Sequence, residues 1–264
     1  MSAQAAPLLP PDSVVSALRT AGCVFAEDEA ELILSTARTP EEATAMVRRR
    51  AAGLPLEHVV GWAAFHGLRI AVEPGVFVPR RRTEFLVDRA ARLLPPRPVV
   101  VDLCCGSGAL GVALVAGLDA FELHAADIEP AAVRCARRNV VPAGGRVHEG
   151  DLFDPLPAGL RGRVDVLLAN VPYVPTGEVG LLPAEARAHE PLVALDGGAD
   201  GLDVLRRVAA EAPRWLAPGG HLLFETTERQ VVDALDAVAG GGLTAAVARS
   251  DEHSATVVIG GRPV

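Results

Sequence analysis

The chain contains no lysine. Its 25 basic residues are all arginine, set against 33 Asp and Glu for a net charge of −8. A protein that tracks a phosphate backbone carries a basic footprint, so this balance weighs against direct nucleic-acid binding. Beside 26 Gly and 21 Pro, the missing lysine reads as a bias of genome composition, not as a functional sign. Aromatics are also scarce, at 4% with one tyrosine. A core must therefore be built from Ala, Val and Leu, and a hydrophobic share of 50% supplies enough of them. Four cysteines, Cys23, Cys104, Cys105 and Cys135, form no Cys-x-x-Cys pair, which excludes a disulfide framework and a zinc pattern. They read as small buried hydrophobes of a reducing compartment. His66, His189 and His221 lack ligand-like spacing, so no metal is expected. No apolar run approaches the roughly 20 residues of a membrane span. Residues 1–11 lack the basic start and apolar stretch of a signal peptide. The expectation is a cytoplasmic protein with no membrane partner.

At 264 residues the chain suits one core domain with a small appendage. The first fifty residues read as short helices. One covers about 27–38, with Ala30, Ile33, Leu34 and Ala37 on one face. Thr39-Pro40-Glu41-Glu42 is a capping-box start for another, which carries Met46 and Val47 and ends near Gly53. Residues 59–78 alternate Trp62, Phe65, Leu68, Ile70 and Val72 with Gly61, Gly67, Pro74 and Gly75, a β-hairpin pattern. A helix over 83–94 is stopped by Pro95-Pro96-Arg97-Pro98.

From Val99 short apolar strands alternate with helices: strands over 99–103, 121–126, 146–149, 164–169 and 221–224, helices over 109–116 and 130–139. Such alternation predicts an α/β fold, a mostly parallel sheet covered on both faces. Segments 242–249 and 255–259 lie too close for a crossover helix and should pair antiparallel. The expected division is 1–58 helical, 59–82 a hairpin linker, and 83–264 the α/β domain. The Arg48–Arg50 and Arg80–Arg82 runs read first as solvated faces, with a smaller chance that the second, near the domain junction, touches the substrate.

Val99-Val100-Val101-Asp102-Leu103-Cys104-Cys105-Gly106-Ser107-Gly108-Ala109-Leu110-Gly111 is a strand, a glycine turn and a helix start. Gly106-x-Gly108-x-x-Gly111 spells a dinucleotide fingerprint, but several nucleotide-like ligands share that spelling. Context separates them. Asp102 before the turn would repel a pyrophosphate and attract an ammonium group. Asp127 closes the next strand, where an acid can take ribose hydroxyls. Asp151 follows the third strand, near where an adenine amino group would lie. Three acids at consecutive strand ends suit a ligand with an ammonium, a ribose and an adenine but no phosphate. Cys104, Gly106, Gly108, Ile128 and Leu152 complete the expected set.

The strand over 164–169 runs into Asn170-Val171-Pro172-Tyr173. This turn resembles the Asn-Pro-Pro-Tyr motif of methyltransferases acting on planar nitrogens, an adenine amino group or a glutamine amide. More widely, Gly53-x-Pro55-Leu56, Phe65-x-Gly67-Leu68, Pro79-Arg80 with Thr83-Glu84, Glu190-Pro191, Gly197-Gly198-x-x-Gly201-Leu202 and Pro218-Gly219-Gly220 resemble the HemK/PrmC-type protein-(glutamine-N5) methyltransferases over about residues 50–260. In this chain Val171 replaces the first Pro of the motif. Arg81 and Arg82 replace a Pro and a Glu of the family's Pro-Arg-Pro-Glu-Thr-Glu stretch, and Cys104 stands where many members have the first Gly.

The resemblance implies a seven-stranded Rossmann-like methyltransferase domain with a small N-terminal helical domain that recognises substrate. S-adenosyl-L-methionine would be the cofactor, and Asn170 would touch it too. The Asn170 side-chain oxygen and the Val171 carbonyl would accept the two amide hydrogens of the substrate, with Pro172 shaping the turn and Tyr173 packing on the amide plane. Asn170 and Tyr173 are thus the expected catalytic residues. The implied substrate is a translation protein: first the Gly-Gly-Gln loop of a peptide-chain release factor, second a ribosomal protein. A nucleic-acid adenine-N6 methyltransferase, a nicotinamide-dependent oxidoreductase and a non-catalytic partner-binding relative remain as alternatives.

Overall fold

The computed structural model describes residues 9–264. The N-terminal leader expectation therefore lies, for residues 1–8, outside the described residues. Four helices come first: α1 (Pro11–Thr20), α2 (Ala26–Thr36), α3 (Pro40–Ala51) and the short α4 (Leu56–Val60). Thr39 caps α3 as expected, its hydroxyl accepting from the Glu42 amide at 3.1 Å. The returning Glu42 carboxylate takes the Arg38 amide at 2.8 Å, one residue ahead of the cap itself. Val14, Leu18, Ile33 and Met46 pack these helices on one another, and Val59, Val60 and Trp62 join that cluster.

The hairpin is shorter than the 59–82 segment assigned to it. Its strands are β1 (Trp62–Phe65) and β2 (Leu68–Ala71), paired Phe65 to Leu68 across the turn. His66 at φ 48° and Gly67 at φ 74° make that two-residue turn, since positive φ at both positions matches the twist of the strands. His66 tolerates its strained backbone with help from Glu84, which accepts its amide at 2.8 Å. A 3-10 turn at Arg81–Thr83 then leads into α5 (Glu84–Ala91).

The remainder is the α/β unit: β3 (Val99–Leu103), α6 (Ala109–Val115), β4 (Glu122–Asp127), α7 (Pro130–Val140), β5 (Arg146–Glu149), β6 (Val164–Ala169), α8 (Ala184–His189), α9 (Asp203–Trp215), β7 (Leu216–Thr226), α10 (Val231–Gly240), β8 (Thr244–Ser250) and β9 (Ala255–Gly261). The strands form one seven-stranded sheet in the order β5-β4-β3-β6-β7-β9-β8. β3 to β7 are parallel; β9 runs antiparallel between β7 and β8. One face carries Val101, Leu103, Leu167, Leu222 and Phe224 with α9 and α10, the other Val100, Val166, Leu168 and Leu223 with α5, α6 and α7. Burial on both faces explains why these strands read as continuous apolar runs. No helix of the described residues is long and apolar enough to cross a membrane.

Candidate active site

From β3 the chain winds outward to β4 and β5, then returns to β6 on the other flank of β3. At such a switch point the loops after the two central strands leave in opposite directions and open a crevice. A cavity of about 1510 Å³ lies there, lined by strand-end residues and reaching Phe25 and Leu32 of the N-terminal helices. Asp102, Cys104, Gly106, Asp127, Ile128, Asp151, Leu152, Asn170, Val171, Pro172 and Tyr173 all line it. Gly108, expected among the cofactor contacts, is not on its wall. Its φ is 76° and a Cβ would fall 2.5 Å from Cγ2 of Val140, so it serves the close packing of the turn on α7.

The turn after β3 is stitched to β4. The Cys105 amide donates to the Ala126 carbonyl at 3.1 Å, and the Gly106 amide to Oδ2 of Asp127 at 2.8 Å. Oδ1 of Asp127 takes the Glu129 amide at 2.9 Å. Each of its oxygens thus keeps a lone pair for a ligand while the backbone fixes the carboxylate. Cys104 sits at φ 52°, in the left-handed region. That backbone favours glycine and costs another residue energy, which accounts for the glycine many resembled proteins carry at this place. Asp151 pairs with Arg207 of α9 and is half-exposed, so its charge at the cavity wall is already balanced.

Asp102 is 1% exposed. Its Oδ2 accepts the Gly111 amide at 2.9 Å, while its Oδ1 is buried without a partner. Burial pushes its carboxyl up to about 7; the Gly111 amide pulls the other way and Asp127 adds to the rise. At the end of β6, Oδ1 of Asn170 is likewise buried and unpartnered. Unmet buried acceptors cost about 1–3 kcal/mol each, and both line the same cavity. The free carboxylate oxygen of Asp102 fits a ligand bearing an ammonium group, and the Asn170 oxygen stands ready for a second N–H-bearing partner. The residues present therefore fit S-adenosylmethionine.

The motif turn is held from behind by glycines. Gly197 and Gly201 leave no room for side chains: a Cβ would lie 2.6 Å from the Pro172 carbonyl oxygen in the first case and 2.2 Å from that of Tyr173 in the second. Nε2 of Gln230 donates to the Tyr173 carbonyl at 2.9 Å. Among the described residues no hydrogen bond reaches the Val171 carbonyl. The Tyr173 hydroxyl donates to Oε1 of Glu225 at 2.9 Å and accepts from Nη2 of Arg82. Burial first, then Glu225, hold this phenol well above its ordinary range.

The first reading of the arginine runs as solvated faces is corrected at three positions, because buried carboxylates wait for them. Arg82 pairs with Glu225 and Arg80 with Glu190, whose side chains are 4% and 1% exposed. Arg50, 14% exposed, pairs with Glu29 and reaches Glu185 at 3.2 Å. Glu190, Glu225 and Gln230 were missed as site residues. The one available signal was an acid interrupting the apolar run Leu222-Leu223-Phe224-Glu225.

Residues 67–185 match the family model described as "Methyltransferase small domain". The chain is 38% identical over 228 residues to the release factor glutamine methyltransferase of Geobacter sulfurreducens, covering 84% of this chain and 79% of that one. It is 42% identical over 186 residues to a 4-amino-L-phenylalanine/4-methylamino-L-phenylalanine methyltransferase of Streptomyces pristinaespiralis, covering 68% and 63%. A methyltransferase from Pyrococcus furiosus shares the fold, with a TM-score of 0.57 at 15% identity, over 75% of this chain and 90% of that one. Sheet order, switch-point crevice and these likenesses define an S-adenosylmethionine-dependent methyltransferase of class I fold. Within that class the similarity to curated relatives is specific. The chain belongs to the release factor glutamine methyltransferase family.

Proposed function

We propose that this enzyme methylates the side-chain nitrogen of a glutamine in a translation protein of the cytoplasm, first the Gly-Gly-Gln loop of a peptide-chain release factor, second a ribosomal protein. The observation that carries the reading is the buried, partnerless Oδ1 of Asn170 beside the unengaged Val171 carbonyl. Together they offer two acceptors, the number a primary amide has hydrogens. An amide nitrogen is a poor nucleophile because its lone pair is delocalised. Acceptors on both N–H groups draw density onto nitrogen and fix its approach, and positioning of this kind is worth up to ~7–11 kcal/mol. A valine carbonyl serves as well as a proline carbonyl, so the changed motif keeps the acceptor. S-adenosylmethionine, when bound, supplies an already activated sulfonium methyl, so no metal or strong base is required of the chain. Asp102 and Asp127 would hold it by its ammonium and ribose, with Ile128, Asp151 and Leu152 toward the adenine. The helices within residues 1–58, whose Phe25 and Leu32 face the cavity, would grip the substrate protein.

A second reading is favoured by the relative from Streptomyces pristinaespiralis, whose named substrate is a free aromatic amine. The same two acceptors would serve an arylamine nitrogen. Labelled methyl transfer separates the readings: a release factor, the same factor with Gly-Gly-Gln changed to Gly-Gly-Ala, and 4-amino-phenylalanine are offered in parallel. Label entering only the unaltered factor supports the first reading. Label entering only the amino acid replaces it with the second.

A further inference from the structure

We propose that Glu225 is a positioning residue for methyl transfer, acting through Tyr173 with Arg82 as its counter-charge; this rests on the glutamine-amide reading above. Glu225 lies near the end of β7 and is 3% exposed. A carboxylate is costly at such a place unless it is fully engaged. Here it is. Oε1 accepts from Nε of Arg82 at 2.7 Å and from the Tyr173 hydroxyl at 2.9 Å, while Oε2 accepts from the Thr83 hydroxyl at 2.7 Å. Arg82 also donates to the Tyr173 oxygen, closing a triangle of three side chains.

The triangle ties together three separate pieces of chain: the turn before α5, the end of β7, and the loop after β6. At the other end of the tyrosine, Gln230 and Gly201 fix its backbone. Anchors at the main chain and at the hydroxyl fix the first side-chain torsion, and because the O–H and lone pair of a phenol prefer the ring plane, the set directions of Glu225 and Arg82 favour one ring orientation about the second. The ring face is thereby set beside Asn170 before any substrate arrives, a preorganised wall for a planar amide. Glu225 itself need not touch the substrate. Arg82 balances its charge, and the phenol remains neutral.

The test uses the fact that Tyr173 is the chain's one tyrosine. An isotope label at the tyrosine ζ-carbon gives a single resonance whose position follows the hydrogen bonding of the hydroxyl. Glu225→Gln and Arg82→Gln should each move it at neutral pH, with cofactor affinity by calorimetry unchanged. In methyl transfer to the release factor, each variant should lose about tenfold in kcat, yet less than about twofold when made in a Tyr173→Phe protein, because groups acting through one another are not additive. Arg82, half-exposed, keeps the test open should the Glu225 variant fail to fold. An unmoved resonance, or equal losses in both backgrounds, overturns the role of Glu225. A wild-type protein that binds cofactor but methylates no glutamine overturns the underlying reading and this one with it.

Discussion

Replacing Asp102 by Asn should make the free protein more stable and a worse cofactor binder. The carboxyl rises from 3.8 to about 7 in the folded chain, chiefly by burial. That is about 3 pKa units, and at 1.36 kcal/mol per unit the ionised form costs the fold about 4 kcal/mol. Because the folded pKa is raised, the penalty is absent below about pH 4 and grows as pH climbs toward 7, remaining in full above it. An asparagine has the shape of the neutral acid and can still accept the Gly111 amide. Asp102→Asn should therefore match wild type in acid and exceed it by up to about 4 kcal/mol at pH 8, measured by urea unfolding without cofactor.

Cofactor binding should go the other way. A bound ammonium beside Oδ1 favours the carboxylate, so binding to the wild type below about pH 7 must first expel a proton. Affinity should fall about fivefold from pH 7 to pH 6, because half of the carboxyls are already protonated at pH 7, and close to tenfold per unit below that, since each unit is 1.36 kcal/mol. Above about pH 8 the ligand's own α-amino group loses its charge and affinity declines again. Calorimetry should thus trace a bell with its top between pH 7 and 8, and the Asn variant should lack the acidic limb. A variant no more stable at pH 8, or with wild-type affinity and the same bell, would refute the assignment of Asp102 to the ammonium.

Three further outcomes follow from the same geometry. Asp127→Ala removes the acceptor of both the Gly106 and Glu129 amides and should lower cofactor affinity by at least about tenfold, as expected for a lost charged hydrogen-bond partner; unchanged calorimetry would remove the ribose assignment. Asn170→Ala should abolish turnover while cofactor affinity holds within about threefold, since positioning acts on the transition state; near-normal turnover would end its catalytic role. Gly108→Ala puts a Cβ against Val140 at φ 76° and should cost about 1–3 kcal/mol of unfolding free energy by overpacking and backbone strain, seen as a lower urea midpoint.

How much of this was legible in the sequence depended on how local its cause was. β3 and β6 lie where the apolar runs put them, because a strand covered on both faces needs no alternation. β7 was expected over 221–224 and spans Leu216–Thr226. Pro218-Gly219-Gly220 looks like a turn, yet a register shift against β6 carries the strand through it. The glycine turn and the three strand-end acids could be brought to one cavity from the sequence because each sits at a fixed distance from its strand. That Gly108 serves packing could not be found, since Val140, which it touches, lies on a different helix. The Arg82–Glu225 pair joins residues 143 positions apart. Such a pair leaves no trace in a local pattern, and an arginine run is read as surface until a buried acid is seen to meet it.

The central claim is that Asn170 and the Val171 carbonyl hold an amide nitrogen at the mouth of the cofactor site. A crystal structure of the enzyme with S-adenosylhomocysteine and a Gly-Gly-Gln peptide tests it directly. The account expects the glutamine amide nitrogen within hydrogen-bonding reach of both oxygens, facing the cofactor sulfur, with the ring of Tyr173 against the amide plane. A peptide bound with its glutamine outside the Asn170–Tyr173 turn would contradict it.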